Sequence, residues 1–109
     1  MLEALFGSTN RERVLLFLYC RREGYAREIS RFFKTNLSQM QKQLERLEVG
    51  GVIYSRNVGK TRVYGLNPRY PFLSQLEALL DKVLSFYPLE ERERLTLARR
   101  RPRRKGKPL

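Results

Sequence analysis

Histidine is absent from the 109 residues, and cysteine occurs once, at Cys20. The missing imidazole removes Ser-His-Asp and Cys-His catalysis, imidazole proton shuttling and the commonest metal ligand. A single cysteine excludes an intrachain disulfide and a thiolate cage. Because Cys20 lies within the apolar run Val14 to Cys20, it reads as a buried, inert thiol rather than a redox sensor. Long apolar runs are missing too. Nothing approaches the roughly 18 residues of a membrane span, and the opening Met-Leu-Glu-Ala lacks the basic stretch of a secretory signal. A cytoplasmic address, with no membrane, metal or cofactor, is the expectation.

Acidic residues are scarce. Eleven stand against 23 Lys and Arg, a net charge of +12, which favours a polyanionic partner, nucleic acid before an anionic membrane. The excess is uneven. Seven cations and no acid fall in residues 98–109, read as a basic disordered tail, which leaves +5 for residues 1–97. Within that body the stretch Lys34 to Arg69 is the most basic, with seven cations and two acids, and no acid lies between Glu48 and Glu77. The hydrophobic share, 41%, is ordinary for a globular chain, and the length suits one core with additions.

Periodicity supplies the elements. Thr9 to Glu12 has the S/T-x-x-E spacing of a capping box, and a first long helix runs from there to about Arg22, ended by Gly24. Its run Val14-Leu15-Leu16-Phe17-Leu18-Tyr19 has no polar face for two turns, so a partner subunit is expected to help cover it. Tyr25 to Phe33 is a short amphipathic helix, Lys34-Thr35-Asn36 a turn, and Leu37, Met40, Leu44 and Leu47 the stripe of a further helix stopped by Gly50-Gly51. Two short helices joined by three residues form a helix-turn-helix candidate. The runs Val52 to Ser55 and Arg62 to Tyr64 flank Asn57-Val58-Gly59-Lys60 as a hairpin with a basic tip. Asn67-Pro68 and Tyr70-Pro71 stiffen the next connection. A long helix from Phe72 to Tyr87 then shows two apolar seams, and Pro88 opens a last helix with Glu90, Glu91 and Glu93 at its start.

Two catalytic readings fail on spacing and context. Gly59-Lys60-Thr61 invites a phosphate-loop reading, but the first glycine of that motif would fall on Tyr54, and its helix on Arg62-Val63-Tyr64. Glu90, Glu91 and Glu93 complement a helix dipole rather than form a catalytic acid pair. The expected protein is not an enzyme.

Tyr25-Ala26-Arg27-Glu28-Ile29-Ser30, then Leu44-Glu45-Arg46-Leu47-Glu48-Val49-Gly50-Gly51-Val52-Ile53, then Gly59-Lys60-Thr61-Arg62-Val63-Tyr64-Gly65-Leu66-Asn67-Pro68 occur in an order that resembles the winged helix-turn-helix of ArsR-like transcriptional regulators. The resemblance spans nearly all of Leu5 to Leu84. It implies a mainly α fold with a small β-hairpin: a winged helix-turn-helix domain over 1–71 and C-terminal dimerisation helices over 72–97. The Cys and His clusters of the metal-sensing members are not here, so that mechanism does not carry over. The Leu66-Asn67-Pro68 segment and the helix after it also look like modules associated with nucleotidyltransferase domains.

The function implied is a sequence-specific regulator of double-stranded DNA, a dimeric repressor that occupies an operator. The alternatives are an adaptor or antitoxin-like protein partner of a separately encoded nucleotidyltransferase-type enzyme, and an RNA-binding winged helix. A major groove about 12 Å wide admits one helix, and amide side chains pair with adenine, which makes Gln39 and Gln41 candidate base readers with Ser38 and Lys42 beside them. Equally, Gln39 completes a cap with Asn36 and Gln41 is merely solvated. Lys34 and Thr35 are candidates for the DNA backbone, and Arg56, Lys60 and Arg62 for the wing, where cations also serve simply to keep a strand edge unpaired. Leu16, Tyr19, Leu73, Leu76, Leu80, Val83 and Tyr87 are the expected homodimer interface.

Overall fold

The central element is helix α2 (Thr9–Arg21), which follows a short α1 (Glu3–Phe6). The cap of α2 sits one residue earlier than the capping box predicts. Ser8 is extended, and its hydroxyl accepts from the Arg11 amide at 3.2 Å. Glu12 therefore falls one place past the reciprocal position, turns inward and is fully buried. There its carboxylate accepts from the Tyr87 hydroxyl at 2.6 Å and the Leu2 amide at 2.5 Å. Burial pushes the Glu12 carboxyl up, but those hydrogen bonds, together with the terminal ammonium 3.0 Å away, hold it below its usual value.

Beyond α2 the chain forms β1 (Glu23–Tyr25), α3 (Ala26–Phe33), α4 (Leu37–Val49), β2 (Ile53–Val58), β3 (Thr61–Leu66), α5 (Leu73–Ser85) and α6 (Leu89–Arg100). The computed structural model describes residues 1–100, with side chains as far as Thr96. Of the stretch expected to be a disordered tail, residues 98–100 belong to α6, and 101–109 lie outside the described residues.

Gly24 does not end the first helix; it belongs to a third strand that the sequence reading lacked. The sheet order is β1-β3-β2, antiparallel throughout, with Gly24 opposite Tyr64 and Tyr54 opposite Gly65. Both glycines are there for room. A Cβ on Gly24 would stand 2.6 Å from the Phe17 ring, and one on Gly65 would stand 2.5 Å from the Tyr54 hydroxyl oxygen. The hairpin turn is two residues, Gly59-Lys60, with Gly59 at φ +62°, so the strands reach further than Asn57 and Arg62.

The expected partner over the all-round apolar helix gives way to the chain itself. Val14 to Leu18 and Cys20 are buried by packing of α1, α3, α4, α5, α6 and the sheet around α2. Leu16, Leu80 and Val83, expected at a subunit interface, belong with Leu95 to this same core and are 0%, 0% and 3% exposed. Tyr87 is held inward by its bond to buried Glu12, and half-buried Tyr19 donates to exposed Asp81 of α5 at 3.0 Å within the same chain. Leu73 and Leu76 are half-buried. Helix α6 supplies part of the cover expected of a second subunit: it lays Leu95 on α2, and Arg21 donates to the carbonyls of Leu95 and Arg94 at 3.1 and 3.0 Å.

Candidate nucleic-acid interface

The turn between α3 and α4 is built by local chemistry. Lys34 adopts the left-handed conformation (φ 55°, ψ 50°), and the Thr35 amide donates to the Ser30 carbonyl at 2.9 Å. Asn36 then caps α4, its side-chain oxygen accepting from the Gln39 amide at 3.2 Å and from the Ser38 hydroxyl at 2.6 Å. Helix α4 is anchored from behind. Met40, Gln43, Leu44 and Leu47 are buried, and the Gln43 side-chain carbonyl accepts from Arg11 at 2.9 Å.

With that stripe inward, Ser38, Gln41, Lys42, Glu45, Arg46 and Val49 are exposed, so the outer face of α4 is bare. Ser38 and Lys42 stand on its centre line, and Gln41 flanks it. Gln39 is exposed at the edge nearest α2, where its carbonyl accepts from Asn10 at 3.4 Å. The cap proposed as its alternative role uses the Gln39 backbone, and its side chain is turned to Asn10 instead. Lys34 is exposed. Thr35 corrects the backbone assignment: its hydroxyl oxygen is buried and hydrogen-bonded to none of the described residues, so as it stands it offers nothing to a phosphate.

The wing lies against the same helix. Glu48, near the end of α4, accepts from the Ser55 hydroxyl of β2 at 2.6 Å and faces Arg62 of β3 at 3.9 Å. The three wing cations are not equivalent. Arg56 is clasped by Glu23 of β1 through two bonds of 2.8 and 2.6 Å, while Tyr54 crosses Gly65 to donate to the same carboxylate. Arg56 is thus paired within the sheet, though its side chain remains 55% exposed. Lys60, at the turn, is exposed and forms no ion pair among the described residues.

The Arg56 guanidinium, then the Tyr54 hydroxyl, hold the Glu23 carboxyl down to about 2, and the carboxylate raises Arg56 in return. A depressed carboxyl stabilises the fold above its unfolded value of 4.5, and that stabilisation is lost as pH falls towards 2. Glu23→Gln is therefore expected to flatten the dependence of the urea midpoint on pH between 4.5 and about 2. An acid limb identical to that of the unsubstituted protein would show that the clasp does not contribute.

No protein-family model and no curated protein sequence matches the chain. Its fold does have solved counterparts. One is a double mutant of Lactococcus lactis ZitR in apo form, 17% identical, with a TM-score of 0.55 over 89% of this chain and 82% of that one. The fold is a winged helix-turn-helix. Within it the described residues form no His, Cys, Asp or Glu cluster able to hold a metal, and no helix among them is long and apolar enough to cross a membrane. A cleft of about 700 Å³ beside Tyr19, Arg22, Tyr54 and Glu77 sits at the root of the wing. Two charged groups in its wall are already paired, Glu23 with Arg56 and Arg21 with Glu28.

Proposed function

We propose that the protein is an ArsR-like transcriptional regulator that binds double-stranded DNA by sequence and acts without catalysis. The observation that carries this reading is the bare polar face of α4, held from behind by a buried stripe and flanked by a hairpin ending in Lys60. A surface helix with a basic strand pair beside it has the dimensions of a major groove and the adjoining backbone. Ser38, Gln41 and Lys42 face the bases, Gln39 meets the groove edge, and Lys34, Lys60 and Arg62 meet phosphates. The net charge of +12 adds sequence-blind attraction.

The working form is a homodimer, with its seam moved outward from the buried residues. Phe72 and Phe86 of the α5 region are 62% and 63% exposed and, with half-buried Leu79, recur at intervals of seven along one side of the helix. Pairing there sets two recognition helices on one duplex, and occupancy of an operator represses. Selection of duplexes from a random pool at stated salt tests all of this together. Palindromic half-sites one helical turn apart, about 34–36 Å, are expected. Enrichment of no duplex, or equal competition by RNA, would refute the DNA reading; single unrepeated sites would refute the dimer.

A further inference from the structure

We infer that Glu45 is a specificity-determining residue that reads a cytosine from the major groove, an inference that rests on the duplex-DNA reading above. Helix α4 buries Met40, Gln43, Leu44 and Leu47. At about 100° per residue, the line directly opposite that stripe runs through Ser38, Lys42, Glu45 and Val49, all of them exposed. Glu45 therefore stands on the centre of the outer face, and Gln41 stands to one side of it. Ser38 and Glu45 are about 10 Å apart along the axis at about 1.5 Å per residue, a span of roughly three base-pair steps.

The other acid of α4 beside the wing and the acid of the sheet have partners of their own. Glu48 is held by Ser55 and Arg62, and Glu23 by Arg56 and Tyr54. Glu45 enters no ion pair among the described residues. A carboxylate carried between two rows of phosphates is repelled by both, and Glu45 lies next to Arg46 and one turn from Lys42 on a helix otherwise suited to a polyanion. One base edge offsets that repulsion. Cytosine presents its N4 amino group as a donor to the major groove, and a carboxylate can only accept. Guanine offers N7 and O6, and thymine O4, all acceptors that oppose a carboxylate. Adenine has a donor at N6, but its N7 acceptor lies alongside and faces the second carboxylate oxygen. The site recognised by the protein accordingly contains a C·G pair at the position Glu45 meets.

The test is parallel duplex selection by the full chain, Glu45→Ala and Glu45→Gln at about 0.15 M salt, followed by competition titrations on the selected site and its single-base variants. The unsubstituted protein is expected to require cytosine at one position of each half-site, with about 10- to 100-fold discrimination there. Glu45→Ala loses that preference and keeps the others. Glu45→Gln shifts it towards adenine, because an amide both donates and accepts. Identical base preferences in all three proteins, with overall affinity merely raised in the variants, would mark Glu45 as a repulsive rim charge and overturn the inference. Selection of no duplex by any of the three defeats the DNA reading itself. Glu45 is exposed, so the variants are expected to keep the unsubstituted circular dichroism spectrum.

Discussion

Replacing Phe17 by alanine lowers the stability of the fold by about 3–5 kcal/mol, a large share of the roughly 5–15 kcal/mol available to a domain of this size. The ring is fully buried on the face of α2 that receives the helix-turn-helix. Phe32 and Phe33 of α3 meet it edge to face at 5.6 and 6.5 Å, and the Arg21 guanidinium covers it at 4.7 Å. The same Arg21 reaches the carbonyls of α6, and Arg94 of α6 stands 4.4 Å over Phe32. One ring thus joins the helix pair, the third strand and the last helix. Urea unfolding measures the loss, and a change under about 1 kcal/mol would contradict this packing. Gly24→Ala provides the matching control. Its new methyl meets the Phe17 ring, so it is costly alone and nearly neutral beside Phe17→Ala, the non-additivity expected of two groups in contact.

The longer helices were legible because their signals are short-range, whereas the four-residue α1 is too short to show a period. The stripe Leu37, Met40, Leu44 and Leu47 has helical period, Asn36 supplies the cap, and the hairpin strands are β-branched between turn residues. β1 was not legible. Glu23-Gly24-Tyr25 is too short for a period, and its glycine is required by a ring seven residues back and by pairing with Tyr64, forty residues on. Coverage of α2 was misjudged for a related reason. An apolar run shows that a helix is covered but not by what, and Leu95 on α6 sits in a segment whose composition is highly charged. At the site, composition located the wing cations but could not rank them. The glutamate that neutralises Arg56 lies 33 positions earlier and meets it through a strand that periodicity does not reveal. The burial of the Thr35 hydroxyl likewise has no signal in the local sequence.

That ranking of the cations leads to the second large effect. The double reversal Lys34→Glu with Lys60→Glu weakens binding to every duplex by about 10²- to 10⁴-fold, the loss of two charge-assisted contacts at about 1.5–3 kcal/mol each. Lys34 lies at the turn between α3 and α4 and Lys60 at the turn of the wing, both exposed and without ion pairs among the described residues. If both meet phosphates, the slope of log affinity against log salt flattens by about 1.8, since each neutralised phosphate contributes about 0.9. Arg56→Ala behaves differently. Its charge is already balanced by Glu23, so the salt slope stays within about 0.5 of its original value. What changes is the fold: the Glu23 carboxyl loses the first of the two partners that hold it down, so stability above pH 4.5 falls and its dependence on pH between 4.5 and about 2 flattens in part, Tyr54 remaining. Titrations on selected and random duplexes at several salt concentrations separate these outcomes. A loss in the double variant confined to the selected duplex would place the two lysines on base edges instead of phosphates, and an Arg56→Ala slope as flat as that of the double variant would return Arg56 to the DNA.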